Sequence, residues 1–560
     1  MTGAEFSLLR DAWLPVRRAD HSPDRIRPAD LTAKLSHNPV VALDWPRPDL
    51  RIACLEFLIG LLCTAFPPED GEAWRDAWRK PPDPAELDAA FAPFAAAFVL
   101  DGDGPRFLQD QEELPEGTVP IERLLINTPG ENTVKKNTDL LVKRDRFAAL
   151  GRPAAAMALF ALQAFAPAGG AGHRVSLRGG GPLTTLVLPG RRDANEPLSL
   201  WHMLWANVLL GDKPRPAELP LVFPWLAPTR RSDAGGAGTP LDGKLAHRLQ
   251  AFWGMPRRIR LEFFAAGPGE VCDLTGRRDD VLVHGFRTRP GGVQYLSAVR
   301  EHPLTPCYRT KPTDPWLALH PQPGGIGFRH WHGLVTANEA GGTLPAHVVP
   351  TFNERRGSVE PLARREARLL AAGYDMDNMK ARGFVEAEMP LFVLDDGQAR
   401  KSLLDHAARL AQAATQAGRL LANAVRIALA DRANTDAAFL DAVRTSFFEA
   451  TAAPFWQALQ AARDRLEGGE ELDIEAAGKA WLDALRREAL ALFDEAAPLD
   501  PLDPRSAGRL KEGAWHPPPV VEARRWLGIN LAGYGPEGQK LWLVLHLEKP
   551  QPSKRKKAKA

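Results

Sequence analysis

Leu403, Ala407, Leu410, Ala414, Ala417, Leu421 and Val425 recur at steps of three and four residues. That spacing keeps one stripe of a helix apolar over about six turns. A stripe this long has to be covered by other helices. Segments near Asp436 to Leu466 and Ile474 to Phe493 carry helical patterns, and a fourth starts after Pro517-Pro-Pro519 and is interrupted by Gly533, Gly535 and Gly538. Gly468-Gly469 and Pro498 to Pro504 are the connectors. Short connections between antiparallel helices predict a four-helix bundle over residues 395–550. The texture before Asp395 is different, and 560 residues are too many for one core. The expected fold class is α+β: a large irregular N-terminal α/β domain over 1–394, the bundle, and a basic tail over 551–560 that reads as solvated and disordered.

In the first domain, Phe6 to Val16 reads as a strand and turn, and Thr184 to Leu188 and Arg257 to Phe264 as strands. Leu50 to Ala65, Pro84 to Phe98, Pro153 to Phe165 and Leu198 to Leu210 read as helices. Val281 to Gly285 and Val293 to Leu296 read as a hairpin turning at Pro290-Gly-Gly292. Residues from Leu114 to Arg146 form a polar loop carrying Lys135, Lys136, Lys143, Arg144 and Arg146. There is no internal repeat. The most apolar run, Phe57 to Phe66, is too short to span a bilayer, and the N-terminus lacks the pattern of an export signal. Four scattered cysteines without a Cys-x-x-Cys pair predict free thiols in a reducing cytoplasm and no structural zinc. The formal net charge of +2 limits any nucleic-acid contact to a local patch or to a surface shared with partner subunits.

Three stretches invite a functional reading. Gly373 to Phe392 begins as a turn-rich Asp/Asn/Gly segment. It ends as a half-buried strand with Val385, Ala387 and Met389 on one side and Glu386 and Glu388 on the other. Asn378, Met379, Lys380 and Arg382 would then share a loop tip offering an amide, an apolar wedge and two cations; an ordinary surface turn is the alternative. The glycine-rich stretch Gly169 to Thr185 has neither a phosphate-loop nor a dinucleotide-binding spacing. It is either a loop that approaches a base edge or phosphate closely, or a pair of tight turns around a strand. His330-Trp-His332, with His320 nearby, would project two imidazoles from one face of a strand, without an obvious acidic or cysteine partner for a metal. No nucleophile accompanies a recognisable base, so binding is favoured over catalysis.

Five separated segments, in order, resemble the CasA family, the large subunits of the type I-E Cascade, an RNA-guided antiviral complex. They are Phe6-Ser-Leu-Leu-Arg-Asp-Ala-Trp-Leu-Pro-Val16, Ser176-Leu-Arg-Gly-Gly-Gly-Pro-Leu-Thr-Thr185, Phe252-Trp-Gly-Met-Pro256, His302-Pro-Leu-Thr-Pro306 and Gly373 to Phe392, followed by a helical bundle. The resemblance implies a non-enzymatic, cofactor-free subunit that recognises the protospacer-adjacent motif of double-stranded target DNA, largely in the minor groove. It also implies help in starting strand separation, and as partners a crRNA-containing multi-subunit complex and a helicase-nuclease effector, with no membrane. By position, Gly169, Gly170, Ala171 and Gly172 look like the family's glycine loop, with alanines at 168 and 171. Arg287 and Arg289 fall where the family has a lysine finger, and Asn378, Met379 and Lys380 fall at its wedge. Asn137, Leu141, Lys143 and Arg144 resemble a loop that docks on the complex, with Leu141 where an aromatic can occur. Arg382, and Arg409, Arg419 and Arg426 on the bundle, are expected to hold DNA backbone; for the bundle arginines a plain solvated face is the alternative. A metal- or nucleotide-dependent nuclease and a structural scaffold without DNA contact are the competing functions.

Overall fold

The computed structural model describes residues 5–548 apart from positions 116, 140, 141, 143, 171, 233–237, 297, 430–436, 501, 503–506 and 512–513. The expected basic tail, 551–560, lies outside the described residues. Two compact units form: residues 1–325 with 333–391, and residues 326–332 with 392–560.

The first unit surrounds a helix buried on nearly every side. Its main helices are α1 (Pro48–Ala65), α2 (Gly71–Arg79), α3 (Arg152–Phe165) and α4 (Leu200–Trp205). Along α1 only Pro48 and Arg51 escape full burial, as an all-round apolar helix requires. At its centre Phe57 meets the edges or faces of Trp13, Phe98, Phe107, Phe160 and Trp253 at centroid distances of 5.6–6.0 Å. These steep ring angles match the aromatic quadrupoles. Beside this core, Trp74 and Trp78 of α2 stack on each other, as do Trp201 and Trp205 of α4. The two pairs exchange hydrogen bonds: Trp74 Nε1 donates to the Trp205 carbonyl and Trp205 Nε1 to the Trp74 carbonyl.

The strands form several small sheets. β1 (Leu14–Arg18), β2 (Pro23–Ile26) and β3 (Val40–Leu43) make one, with β1 in the middle. β4 (Thr184–Leu188) is an edge strand of a sheet completed by the hairpin treated below. β5 (Arg258–Ala265) and β6 (Val281–Arg289) pair antiparallel along their lengths. This corrects the expected hairpin, because β6 turns back on β5 and not on Val293 to Leu296. Pro290 lacks an amide proton, and at Gly292 the backbone lies so close to Pro256 that a Cβ would sit 2.1 Å from its carbonyl oxygen. Pro290-Gly-Gly292 therefore ends the strand without reversing it.

Glu56 of α1 and Arg178 form an ion pair with both side chains at most 2% exposed, at 2.8 and 3.0 Å. Thr184 Oγ1 donates to the same carboxylate. Arg178 also donates to Thr305 Oγ1 at 3.1 Å and lies over the Phe165 ring. The pair ties α1, the 176–181 loop, β4 and the 302–305 turn together.

In the second unit, α5 (Phe328–Val335) contributes its first turns, Phe328 to His332. His330 and His332 thus sit on a helix, not the expected strand, and two positions apart on a helix point about 200° away from each other. They cannot share one ligand face. The bundle consists of α6 (Gly397–Ala428), α7 (Ala437–Glu467), α8 (Ile474–Ala496) and α9 (Pro519–Leu531), with α10 (Pro536–Val544) following the glycine break. All seven predicted seam residues of α6 are buried, and α6 packs against α7, α8 and α9. Trp481 Nε1 of α8 donates to the Leu410 carbonyl at 2.9 Å.

Two outcomes follow from this packing. Arg178→Met should cost about 3–5 kcal/mol in urea unfolding, because it strands a buried carboxylate. The double change Glu56→Met with Arg178→Met should recover most of that loss; a single variant as stable as the parent would contradict the ion pair's role. Separately, burial, together with the nearby charge of Arg192, holds His202 of α4 down to about 4. A histidine whose folded value is depressed makes the unfolded chain bind more protons below about pH 6.5, so stability falls as pH drops from there toward 4. The thermal midpoint should decline over that window, and His202→Gln should reduce the decline.

Candidate functional site

The long hairpin comprises β7 (Arg368–Asp377) and β8 (Lys380–Pro390). Gly373 to Asp377, expected to be turn-rich, is strand. The reversal is confined to Asn378 and Met379, with Asp377 paired to Lys380. Asn378 takes φ of +53°, a left-handed conformation that asparagine tolerates better than most residues. The hairpin is rooted in three ways. Its β7 strand pairs with β4 from Arg368 to Ala372. Tyr374 donates to Asp49 at 2.5 Å, and Glu386 accepts both hydrogen bonds of Arg51 from α1. The alternation along β8 thus turns Glu386 toward α1, not into solvent. Beyond Ala372 the two strands continue as a ribbon of about five residue pairs, roughly 17 Å long. At its base the ribbon passes close to the 176–185 segment: a Cβ on Gly373 would stand 2.9 Å from the Pro182 carbonyl oxygen.

At the tip, Met379 is 60% exposed and Lys380 is exposed. Arg382 is different: it donates to Asp375 at 2.6 Å across the ribbon, and that pairing raises its pKa. Its charge is partly spent on stiffening the hairpin.

The glycine loop is a tight reversal. His173 donates its amide to the Gly170 carbonyl at 2.8 Å, and Gly169 donates back to His173 at 3.0 Å. Gly170 and Gly172 adopt φ of +71° and +84°, which glycine accepts without strain. Ala171 lies outside the described residues. Behind the loop stands Arg257, a residue that sequence reading missed. Its guanidinium donates to the carbonyls of Pro167 and Arg174, and Gln163 accepts from its backbone amide at 2.9 Å. Burial lowers it to about 10. It follows directly on Phe252-Trp-Gly-Met-Pro256, but nothing in the residue pattern marks an arginine that binds carbonyls.

These elements meet. An open cleft of about 390 Å³ is lined by Pro167, Ala168 and Val175 on one side and by Met376, Asn378, Met379 and Arg382 on the other, with His320 between. The segment after β6 adjoins the glycine loop, since Gly291 donates to the Gly172 carbonyl at 3.1 Å. The two arginines expected there part company. Arg287 lies within β6 and donates to Glu262 at 2.8 Å. Arg289 ends the strand, is exposed, and forms no ion pair among the described residues. Of the two, Arg289 is the one with an uncommitted guanidinium among the described residues.

The remaining expected residues are not part of this cleft. Asn137 and Arg144 belong to the 129–146 loop, where Arg144 clamps Asp139 and donates to Asn137 Oδ1 at 3.0 Å. Arg144 therefore holds that loop's shape, while Leu141 and Lys143 lie outside the described residues. On α6, Arg419 and Arg426 are exposed and fall about 20° apart around the helix, whereas Arg409 is half-buried and lies roughly 80° from Arg419. Of the imidazoles, His330 is depressed to about 4 by burial next to Arg329. Among the described residues, no helix is long and apolar enough to cross a membrane.

Residues 7–492 match the family model described as CRISPR-associated protein Cse1. The fold is similar to CasA of Thermus thermophilus, at 20% identity, TM-score 0.61, covering 94% of this chain and 98% of that one. It is likewise similar to Cse1 of Thermobifida fusca, at 18% identity, TM-score 0.63, covering 97% and 98%. A chain of a CRISPR RNA-guided surveillance complex matches at 18% identity and TM-score 0.64, covering 94% and 100%. With its five motif segments in order and the family match running through most of both units, the chain belongs to the CRISPR-associated protein Cse1 family.

Proposed function

We propose that the chain is the large subunit of a type I-E RNA-guided surveillance complex, and that its first unit reads the protospacer-adjacent motif in duplex DNA and starts strand separation. The observation that carries this reading is the open cleft between Ala168 of the glycine loop and the hairpin tip, with the segment after Arg289 adjoining that loop through the Gly291–Gly172 hydrogen bond. A single unit that offers a backbone of positive-φ glycines, an exposed apolar side chain and an unpaired guanidinium meets the needs of minor-groove readout. Glycine lets the main chain approach base edges, arginine enters a narrow minor groove, and a methionine can unstack a base step. Similarity to a chain of a CRISPR RNA-guided surveillance complex supports assembly with guide RNA and sister subunits. Base pairing with the guide then reads the long target sequence, and the protein needs to read only the short motif.

A near-neutral formal charge of +2 supplies little sequence-independent affinity, so tight duplex binding belongs to the assembled complex and not to the free chain. Recruitment of a helicase-nuclease effector, a docking role for the 129–146 loop and a cytoplasmic location belong to the same reading. Chemistry on the DNA is assigned to the effector. His330 and His332, the basis of the nuclease alternative, diverge around a helix.

Replacing Asn378 and Met379 by glycine removes both side chains without straining the turn. In the assembled complex, the variant should open linear duplex more slowly, followed by fluorescence of a base analogue at the first target positions. It should open negatively supercoiled DNA normally, since supercoiling already favours the open form. Arg289→Ala should instead weaken motif binding on both substrates by about tenfold, as loss of one base-edge hydrogen bond implies. Parental opening rates on relaxed duplex for the double-glycine complex would return the tip to an ordinary turn.

Charge reversal at Arg419 and Arg426 should lower the affinity of the complex for all duplexes alike. It should also flatten the dependence of log K on log salt by nearly one unit for each phosphate no longer neutralised. An unchanged slope in a salt titration assigns these arginines to a solvated face.

A further inference from the structure

His320 is conspicuous in the sequence only as a neighbour of two other histidines, yet it lines the cleft between the glycine loop and the hairpin tip. Its Nδ1 lies 3.1 Å from the Gly181 carbonyl oxygen. A carbonyl can only accept, so Nδ1 carries the proton, and in the neutral ring Nε2 is left as a bare acceptor. Nε2 has no hydrogen-bond partner among the described residues. The side-chain donors that line the cleft bond elsewhere: Gln322 to the His320 carbonyl, Asn378 to Asp377 and Arg382 to Asp375. Pro167, Pro321 and Pro323 line the same cleft, and none has an amide proton. Gly179 lies beside the ring: a Cβ there would be 3.6 Å from its Cε1 and 4.0 Å from Nε2. The result is a positioned, half-buried acceptor that no described group of the chain satisfies.

The minor groove makes such an acceptor informative. Every base pair presents acceptors there, and only G·C adds a donor, the guanine 2-amino group. A protein acceptor is thus opposed by A·T in either orientation and matched by one guanine. We infer that His320 Nε2 accepts a hydrogen bond from the 2-amino group of a guanine in the recognised motif, making His320 a specificity-determining residue for one G·C pair. Arg289 and Lys380, as donors, complement the groove acceptors common to all pairs. The inference rests on the proposed motif-reading role of the cleft, and it adds a sequence preference that this role alone does not contain.

Inosine tests it, because inosine pairs with cytosine and differs from guanine only in lacking the 2-amino group. The assembled complex is titrated onto duplexes in which each motif guanine in turn is replaced by inosine. Parental complex should bind about tenfold more weakly at one position, the discrimination expected of one base-edge hydrogen bond. His320→Asn keeps a donor where Nδ1 stood and removes the distal acceptor. It should bind the guanine and inosine duplexes equally at that position, at the parental inosine affinity, and His320→Ala should behave the same way. Retention of the full guanine preference by both variants, or no inosine effect at any position with parental complex, overturns the assignment. If Arg289→Ala also leaves motif binding intact, the motif-reading role of the cleft itself fails. If it weakens binding while the His320 variants change nothing, only the role of His320 is lost.

Discussion

A carboxylate and a guanidinium sealed inside the first unit govern where its functional elements lie. Glu56 and Arg178 are removed from water, which costs several kcal/mol per ion unless geometry and extra hydrogen bonds restore the loss. Here the carboxylate receives two bonds from Arg178 and one from Thr184, and Arg178 reaches Thr305 as well. The partners come from three parts of the chain: α1, the Ser176 to Thr185 segment and the 302–305 turn. The segments Ser176 to Thr185 and His302 to Pro306, which carry the family resemblance, are therefore scaffold before they are anything else. Phe252 of a third such segment packs against His302 at a ring separation of 5.0 Å, and Trp253 beside it belongs to the aromatic core.

From this anchor the hairpin and the cleft beside it follow by short connections. Thr184 is the β4 residue paired with Ala372 of β7, so the sheet that carries the hairpin starts on the ion pair. The glycines after Arg178 bring the backbone against two neighbours. A Cβ on Gly180 would lie 2.7 Å from Pro167, and one on Gly181 would lie 2.5 Å from Met376. The cleft is thus closed at its floor by approaches too tight for any side chain. Much of the positive charge around it is committed to structure: Arg382 to Asp375, Arg287 to Glu262, and Arg257 to main-chain carbonyls.

The bundle was legible because its signal is periodic: seven residues at helical spacing are seven buried residues. The hairpin and glycine loop were legible as segments, through the family resemblance, but not in their detail. Gly373 to Asp377 reads as turn by composition, and only pairing with Lys380 to Val385 makes it strand. Pro290-Gly-Gly292 has turn residues, yet the long-range approach to Pro256 decides its path. Arg287 and Arg289 are indistinguishable in sequence, and the difference lies in Glu262, a neighbour supplied by a strand 25 residues earlier. His330-Trp-His332 suggests the wrong period because three residues cannot separate a helix from a strand. Arg257 carried no signal and His320 only that of a histidine cluster, since their placement depends on carbonyls that sequence does not display.

Whether the hairpin tip enters the duplex beside the recognised motif is tested most directly by a photo-cross-linking residue at position 379, in the assembled complex bound to motif-bearing duplex. Entry at that point predicts cross-links confined to the base step next to the motif, where strand separation begins, and their loss when the motif is scrambled. Cross-links spread along the duplex, or confined to sister subunits, would contradict it.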